Sequence, residues 1–181
     1  MKLFKKINRS IVLKKVKKNS IKNSNRAFLN YSEINSCLLV CSVNRDEEFG
    51  EIIELENMLK ADNKSVVSCC YVHSKDTSLV STLNRIIIKK SDLSFIGKPS
   101  SIIIDDIKNR KFDVVFDVNQ KSFVPLLYML INADATLFCG TDKNSDFNFN
   151  FLIETTNHQY ISRRFILEQF LFYLKKINVR G

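Results

Sequence analysis

The sequence predicts an α/β fold, one domain with a mostly parallel sheet covered by helices on both faces, behind a basic N-terminal helix. Three observations lead there. Short, near-continuous apolar runs alternate along the chain with longer segments of helical character. The runs are rich in Val, Ile, Leu, Phe and Cys, as strands buried on both faces require. Only four Gly and two Pro occur in 181 residues, so a fold built on Gly-rich turns is not expected, and the length suits one domain rather than two.

Residues 3–18 read as a helix, with no Gly or Pro. Leu3, Phe4, Ile7 and Ile11 fall on one side of it, and Lys2, Lys5, Lys6 and Arg9 on the other. The stripe ends after about three turns, because Val12, Leu13 and Val16 point elsewhere. Residues 19–25 (NSIKNSN) form a polar connector, which divides the chain into an arm over residues 1–30 and a domain over 31–181.

Residues 37–43 (CLLVCSV) predict the first strand. Asp46 is then expected to cap a helix that carries Glu47 and Glu48 in its first turn and runs to about Ala61. Phe49, Ile52, Ile53, Leu55 and Leu59 would form its apolar face. Residues 65–72 (SVVSCCYV) and 85–88 predict two further strands. Pro99 suits the opening turn of a helix continuing over 102–109. Residues 112–118 (FDVVFDV) predict the fourth strand. Ser122 is the expected cap of a helix with Pro125 in its opening turn and Leu126, Leu127, Met129 and Leu130 within it. Residues 135–139 (ATLFC), closed by Gly140, and 149–153 supply the last two strands, and 160–177 the closing helix. Right-handed crossovers make this a Rossmann-like three-layer sandwich, with strand order 3-2-1-4-5 and the sixth strand at the far edge.

The formal net charge of +9 is unevenly placed. Residues 1–26 hold ten Lys and Arg and no acid, so the remainder carries 18 bases against 19 acids, about −1. Any affinity for a polyanion must therefore come from the arm, through Lys2, Lys5, Lys6, Arg9, Lys14, Lys15, Lys17 and Lys18. RNA, a ribosome or an anionic membrane surface is the partner class this implies, and a homodimer is a further possibility. The arm has one aromatic residue, Phe4, which gives no platform for base stacking.

No apolar stretch approaches the ~20 residues of a membrane span. The N-terminal run Ile11-Val12-Leu13 is too short for an export signal. The expected compartment is the cytoplasm, with a peripheral place at a membrane open through the arm. Cys37, Cys41, Cys69, Cys70 and Cys139 are odd in number, lie in apolar runs and form no CxxC, so they read as free buried thiols.

An open parallel sheet takes ligands beyond the carboxyl ends of its strands, where strand order reverses. That point lies between the first and fourth strands, with Ser42, Asn44 and Arg45 on one side and Asp117, Asn119 and Ser122 on the other. Of these, Asn44, Arg45, Asp117, Asn119 and Ser122 are the candidate ligand-binding set, suited to a phosphate or a sugar; ordinary capping and loop roles are the competing explanation. Dinucleotide binding in the usual manner is not expected, because Asp46, Glu47 and Glu48 stand where a Gly-rich turn would meet a pyrophosphate. His73 and His158 have no partner at suggestive spacing, and the loop from Asp142 to Asp146 lacks the ligand spacing of a calcium loop. No catalytic residue, cofactor or metal site is therefore assigned.

Several pieces in order resemble an uncharacterised Bacteroidetes family of short single-domain proteins, domain-of-unknown-function family 6913. They are the basic N-terminal helix, LSFIG at residues 93–97, KFDVV at 111–115, Pro125-Leu126-Leu127, Ala133-Asp134, the strand ending at Gly140, and YLKKIN at 173–178. The resemblance spans nearly the whole chain and implies no activity. Residues 112–140 are also similar to part of the N-terminal half of heptosyltransferase-type glycosyltransferases. That likeness implies a Rossmann-like fold. Those enzymes need a second such domain and a Gly-rich first turn, and this chain has neither, which argues against transferase activity.

The leading expectation is thus a non-catalytic interaction module with a polyanion-binding arm. The alternative is a small-ligand or sugar-nucleotide domain, a degenerate transferase half. One further expectation concerns the closing helix: Ile161, Phe165 and Phe172 lie apart from its main apolar face and invite contact with the arm's apolar stripe, from the same chain or a second one, or cover by a neighbouring loop.

Overall fold

The computed structural model describes Ser10, Lys14 and residues 27–142, 146–155 and 161–177. Six strands are present there: β1 (Ser36–Val43), β2 (Ser65–Val72), β3 (Arg85–Ile88), β4 (Lys111–Asp117), β5 (Asp134–Thr141) and β6 (Phe151–Ile153). They form one sheet in the order β3-β2-β1-β4-β5-β6, and every neighbouring pair is parallel. Four helices cover it: α1 (Phe49–Ala61), α2 (Ser101–Lys108), α3 (Val124–Asn132) and α4 (Arg163–Lys176). The expected strand order is the observed one.

Burial explains the unbroken apolar runs. In β1 every residue after Ser36 is buried, because side chains on both faces of the strand meet helices. Cys37, Leu39, Cys41 and Val43 join Ile52, Leu55 and Leu59 of α1 and Leu167, Phe170 and Leu174 of α4 in one core. Leu38 and Val40 join Ile104 and Ile107 of α2 and Leu126, Met129 and Leu130 of α3 in the other. Each such Leu or Ile contributes ~1.5–3 kcal/mol on burial. The rim of the sheet is pinned by polar groups: Asp113 Oδ2 accepts from the backbone N–H of Asn35 (2.7 Å) and of Ser36 (2.8 Å).

Several local expectations are corrected. Asp46 caps nothing: residues 46–48 form a 3-10 turn, and the Asp46 carboxylate accepts instead from Thr77 Oγ1 and from the N–H and Oγ of Ser78. The buried stripe of α1 includes Glu56 in place of Ile53, which is 37% exposed. Pro99 precedes its helix, bridging to Leu93 across a turn in which Gly97 adopts φ 76°; the extended Ser100, at ψ 156°, delays the helix to Ser101. Phe123, not Ser122, is the residue before α3, because Phe123 itself is extended at φ −117°.

Gly140 lies within β5 rather than closing it, and β6 is shorter than expected. A Cβ on Gly140 would stand 2.6 Å from the Phe149 ring, which packs flat over that backbone. The closing helix begins at Arg163, with Ser162 Oγ accepting from the Phe165 N–H. Ser10 and Lys14 are helical and exposed; the other basic residues of the arm, and the rest of its predicted helix, lie outside the described residues.

Candidate functional site

β1 leads into α1 on one face of the sheet, and β4 leads into α3 on the other. The chain ends of these adjacent strands therefore part, and a cavity of about 270 Å³ opens between them. Ser42, Asn44 and Asn119 line it from the strand ends. Gln120, Lys121 and Phe123 come from the loop before α3, and Ile161 and Arg163 from the start of α4.

The floor is a closed hydrogen-bond network. Ser42 Oγ donates to Asn119 Oδ1 (2.9 Å), and Asn119 Nδ2 donates to Val40 O (3.2 Å) and Asp117 Oδ1 (2.6 Å). The Asn119 N–H also donates to Asp117 Oδ1, and Asn119 O accepts from Thr141 Oγ1. Asn119 thus ties β1, β4 and β5 together just beyond their ends, with every polar atom engaged. Asp117, Asn119 and Thr141 are all buried, where unpaired polar groups would cost stability.

Arg163 forms one wall. Its guanidinium donates to Glu51, to Ser42 O (2.6 Å) and, more distantly, to Glu48 (3.5 Å). Burial works against its charge, but Glu51 and Glu48 more than offset this, so the group stays firmly protonated. Glu48 accepts in turn from the N–H and Nδ2 of Asn44. Burial raises its pKa, and the Asn44 bonds and Arg163 reverse that, holding it below the ordinary carboxylate range. Behind Phe123, the His73 ring packs between Phe123 (4.9 Å between centroids) and Tyr71 (4.5 Å). Burial and nearby Lys90 depress the His73 pKa, so the ring is neutral near pH 7.

The cavity therefore presents amide donors and acceptors, an exposed lysine and an apolar side made by Val118, Phe123 and Ile161. Gln120 Nε2 is buried and has no hydrogen-bond partner among the described residues. This arrangement suits recognition of a small polar molecule. Among the described residues no group of three His, Cys, Asp or Glu side chains could hold a metal ion. The five cysteines are free and buried. Burial pushes Cys37 up to about 12 and raises Cys69 and Cys139 well above the ordinary thiol value, which leaves them as unreactive thiols.

The structure brings together Ser42, Asn44 and Asn119 from the residues singled out in the sequence. Asp117 lies beneath them as a support. Arg45 is exposed, and neither it nor Ser122 belongs to the cavity wall. Arg163, Lys121 and Gln120 went unread. The only local hint for Arg163 was an Arg-Arg pair opening the last helix, since its contacts lie more than a hundred residues away in sequence. Asp142 binds the N–H and Oγ1 of Thr155, while residues 143–145 and His158 lie outside the described residues.

An all-parallel three-layer sandwich with a polar cavity at its strand switch point defines a Rossmann-like α/β fold. The chain belongs to a family of unknown function, DUF6913, whose model matches residues 5–177. The match begins inside the basic arm and ends just after α4. No curated protein and no solved structure matches the chain. Among the described residues no helix is long and apolar enough to cross a membrane.

Proposed function

We propose that the protein is a non-catalytic interaction module whose N-terminal arm binds RNA. The observation that carries this is the separation of charge, ten bases without an acid over residues 1–26 against a remainder near neutrality. Four of the body's arginines support it. Arg85 pairs with Glu56, Arg110 with Asp106, Arg163 with Glu51, and Arg164 with Glu168. Cations held in internal pairs contribute little to an outside polyanion, whereas each arm lysine that meets a phosphate releases a counterion. The test is the full chain with Lys5, Lys6, Lys14, Lys15, Lys17 and Lys18 changed to Gln, titrated against a single-stranded RNA over a salt series. Binding should weaken more than tenfold. Its salt slope should become shallower by ~0.7 for each phosphate that the arm no longer neutralises. Undiminished RNA binding, or binding to anionic vesicles without binding to RNA, overturns the proposal.

The cavity favours a second reading, a site for a small sugar-bearing ligand such as a nucleotide sugar, in a domain that has lost or never had transferase activity. Its specific support is the convergence of Asn44, Gln120 and Lys121 on one cavity, with Gln120 Nε2 lacking a hydrogen-bond partner among the described residues. A thermal-shift series with nucleotide sugars should raise the melting temperature of the wild type but not of Asn44→Ala or Gln120→Ala. Arg45→Ala, outside the cavity wall, should leave the shift intact. Shifts unchanged in the first two variants place any ligand elsewhere.

A further inference from the structure

We infer that the arm docks on its own domain, with Leu3, Phe4, Ile7 and Ile11 seated in a groove between edge strand β6 and helix α4. The groove has a volume of about 330 Å³. One wall is β6, and the other is a ridge of Phe165, Gln169 and Tyr173, spaced four apart so that all three share one helix face. Leu152, Phe165 and Tyr173 remain 52%, 43% and 46% exposed. Three large apolar side chains around one depression are more than the scattered exposure expected of a surface. Phe172 projects from the same helix but does not line the groove, so Tyr173 takes the part the sequence suggested for Phe172.

The chain itself names the occupant. Among the described residues β6 pairs with Cys139–Thr141 of β5, and no strand covers the earlier part of that β5 edge. There the Ala27 N–H donates to Thr136 O (3.2 Å), and the Phe28 ring meets Phe151 edge-on at 6.2 Å. Phe151 is a wall of the groove, so the arm leaves the domain at the groove's own margin. Residues 12–26 can span up to ~50 Å, ample to bring Ile11 back across α4. Val80 and Leu83 are also exposed, but they stand beside β3 at the opposite edge of the sheet. The charged side chain in the groove lining is Glu154, which suits an arm that carries only basic charges. Seated this way, the arm turns Lys2, Lys5, Lys6 and Arg9 outward.

This inference concerns the arm of the RNA proposal but rests on its apolar side, and its test contains no nucleic acid, so the two can fail separately. Two measurements use the full chain. Phe165→Glu, and separately Leu3→Glu with Ile7→Glu, should speed tryptic cleavage within residues 1–26 at least tenfold. Combining them should add little. Second, an Ile7→Cys, Phe165→Cys chain should form a disulfide on mild oxidation and run as a compact monomer on a non-reducing gel. Cleavage no faster in either variant overturns the inference, as it would if residues 156–160 covered the groove instead. A disulfide-linked dimer assigns the groove to the arm of a second copy, and that too overturns it. Absence of any new disulfide does the same.

Discussion

The two ends of the sheet carry similar polar residues and use them in opposite ways. At the amino ends three carboxylates, Glu56, Asp62 and Asp113, are consumed by the fold. Glu56 of α1 accepts from Arg85, the first residue of β3, through both Nε (2.8 Å) and Nη2 (2.7 Å), and from Ser68 Oγ (2.8 Å). Asp113 closes the β1–β4 entry. Asp62 accepts from Tyr31 Oη (2.6 Å) and Lys175 Nζ (2.7 Å), locking the segment before β1 to the ends of α1 and α4. At the carboxyl ends the floor and the Arg163 wall are bonded, but the space between them is open. Above Asn119, the side chains of Asn44, Gln120 and Lys121 border open space. One end works as a set of staples, the other as a container, and the direction of the strands decides which is which. Successive helices begin at the carboxyl ends and leave from different faces, so that is where the backbone must separate.

The largest effect expected from this comparison is at Glu56. It is 3% exposed, and its removal leaves the partly buried Arg85 without its carboxylate. Breaking such a pair costs several kcal/mol when both groups are deeply buried; the 29% exposure of Arg85 lowers the figure for Glu56→Ala to about 3 kcal/mol. Denaturant unfolding measures it. A loss below about 1 kcal/mol would show that the amino end is not held by this cluster.

Asp113→Asn should cost less, about 1–2 kcal/mol, because the amide oxygen can still accept from the backbone but without the charge. The pH dependence sharpens this. Burial raises the pKa of both Asp113 and Glu56, and their hydrogen bonds more than reverse it, so both titrate below their unfolded values. Their contribution is complete above the ordinary carboxylate range and lost as pH falls through the lowered values. The acid limb of the stability curve should therefore be shallower in Asp113→Asn. An unchanged acid limb counts against the staple.

The strands were legible because a strand buried on both faces leaves an uninterrupted apolar run, as in CLLVCSV and SVVSCCYV. Helix phase was legible too, but hydropathy misled it. Ile52, Glu56 and Leu59 share a face at spacings of four and three, and Ile53 falls off it. Its greasiness argued for a place in the core that its phase denied. The floor of the cavity could be read since Ser42, Asn44 and Asn119 end or follow buried strands. Its wall could not, because Arg163 is brought to Ser42 by the packing of α4, which no local pattern encodes. Arg45 and Asp46 show the same limit within a single loop. Both are polar neighbours after β1, and only the position of Thr77 and Ser78 decides that one is anchored while the other is exposed.

The smallest expected effect lies at the carboxyl end, in His73. The backbone N–H of His73 continues the β1–β2 ladder to Val43 O (2.9 Å), and its ring sits in the aromatic stack that backs the cavity. Burial is the main reason its pKa falls below the ordinary 6.5; Lys90 pushes the same way, Glu48 opposes it, and Arg163 adds least. A base with a depressed folded pKa stabilises the fold while it is neutral. That contribution is full above pH 6.5, the unfolded value, and declines as pH falls through the folded value. Glu56 and Asp113 titrate at lower pH, so the His73 step is separate from theirs. His73→Phe keeps a ring between Tyr71 and Phe123 and removes the titrating nitrogen. Thermal unfolding between pH 7 and pH 5 should then lose stability less steeply in the variant than in the wild type. Parallel curves would mean that the wild-type ring takes up its proton without penalty. Glu48 would then have to turn from Asn44 and Arg163 toward the imidazole, and the cavity wall would reorganise with pH.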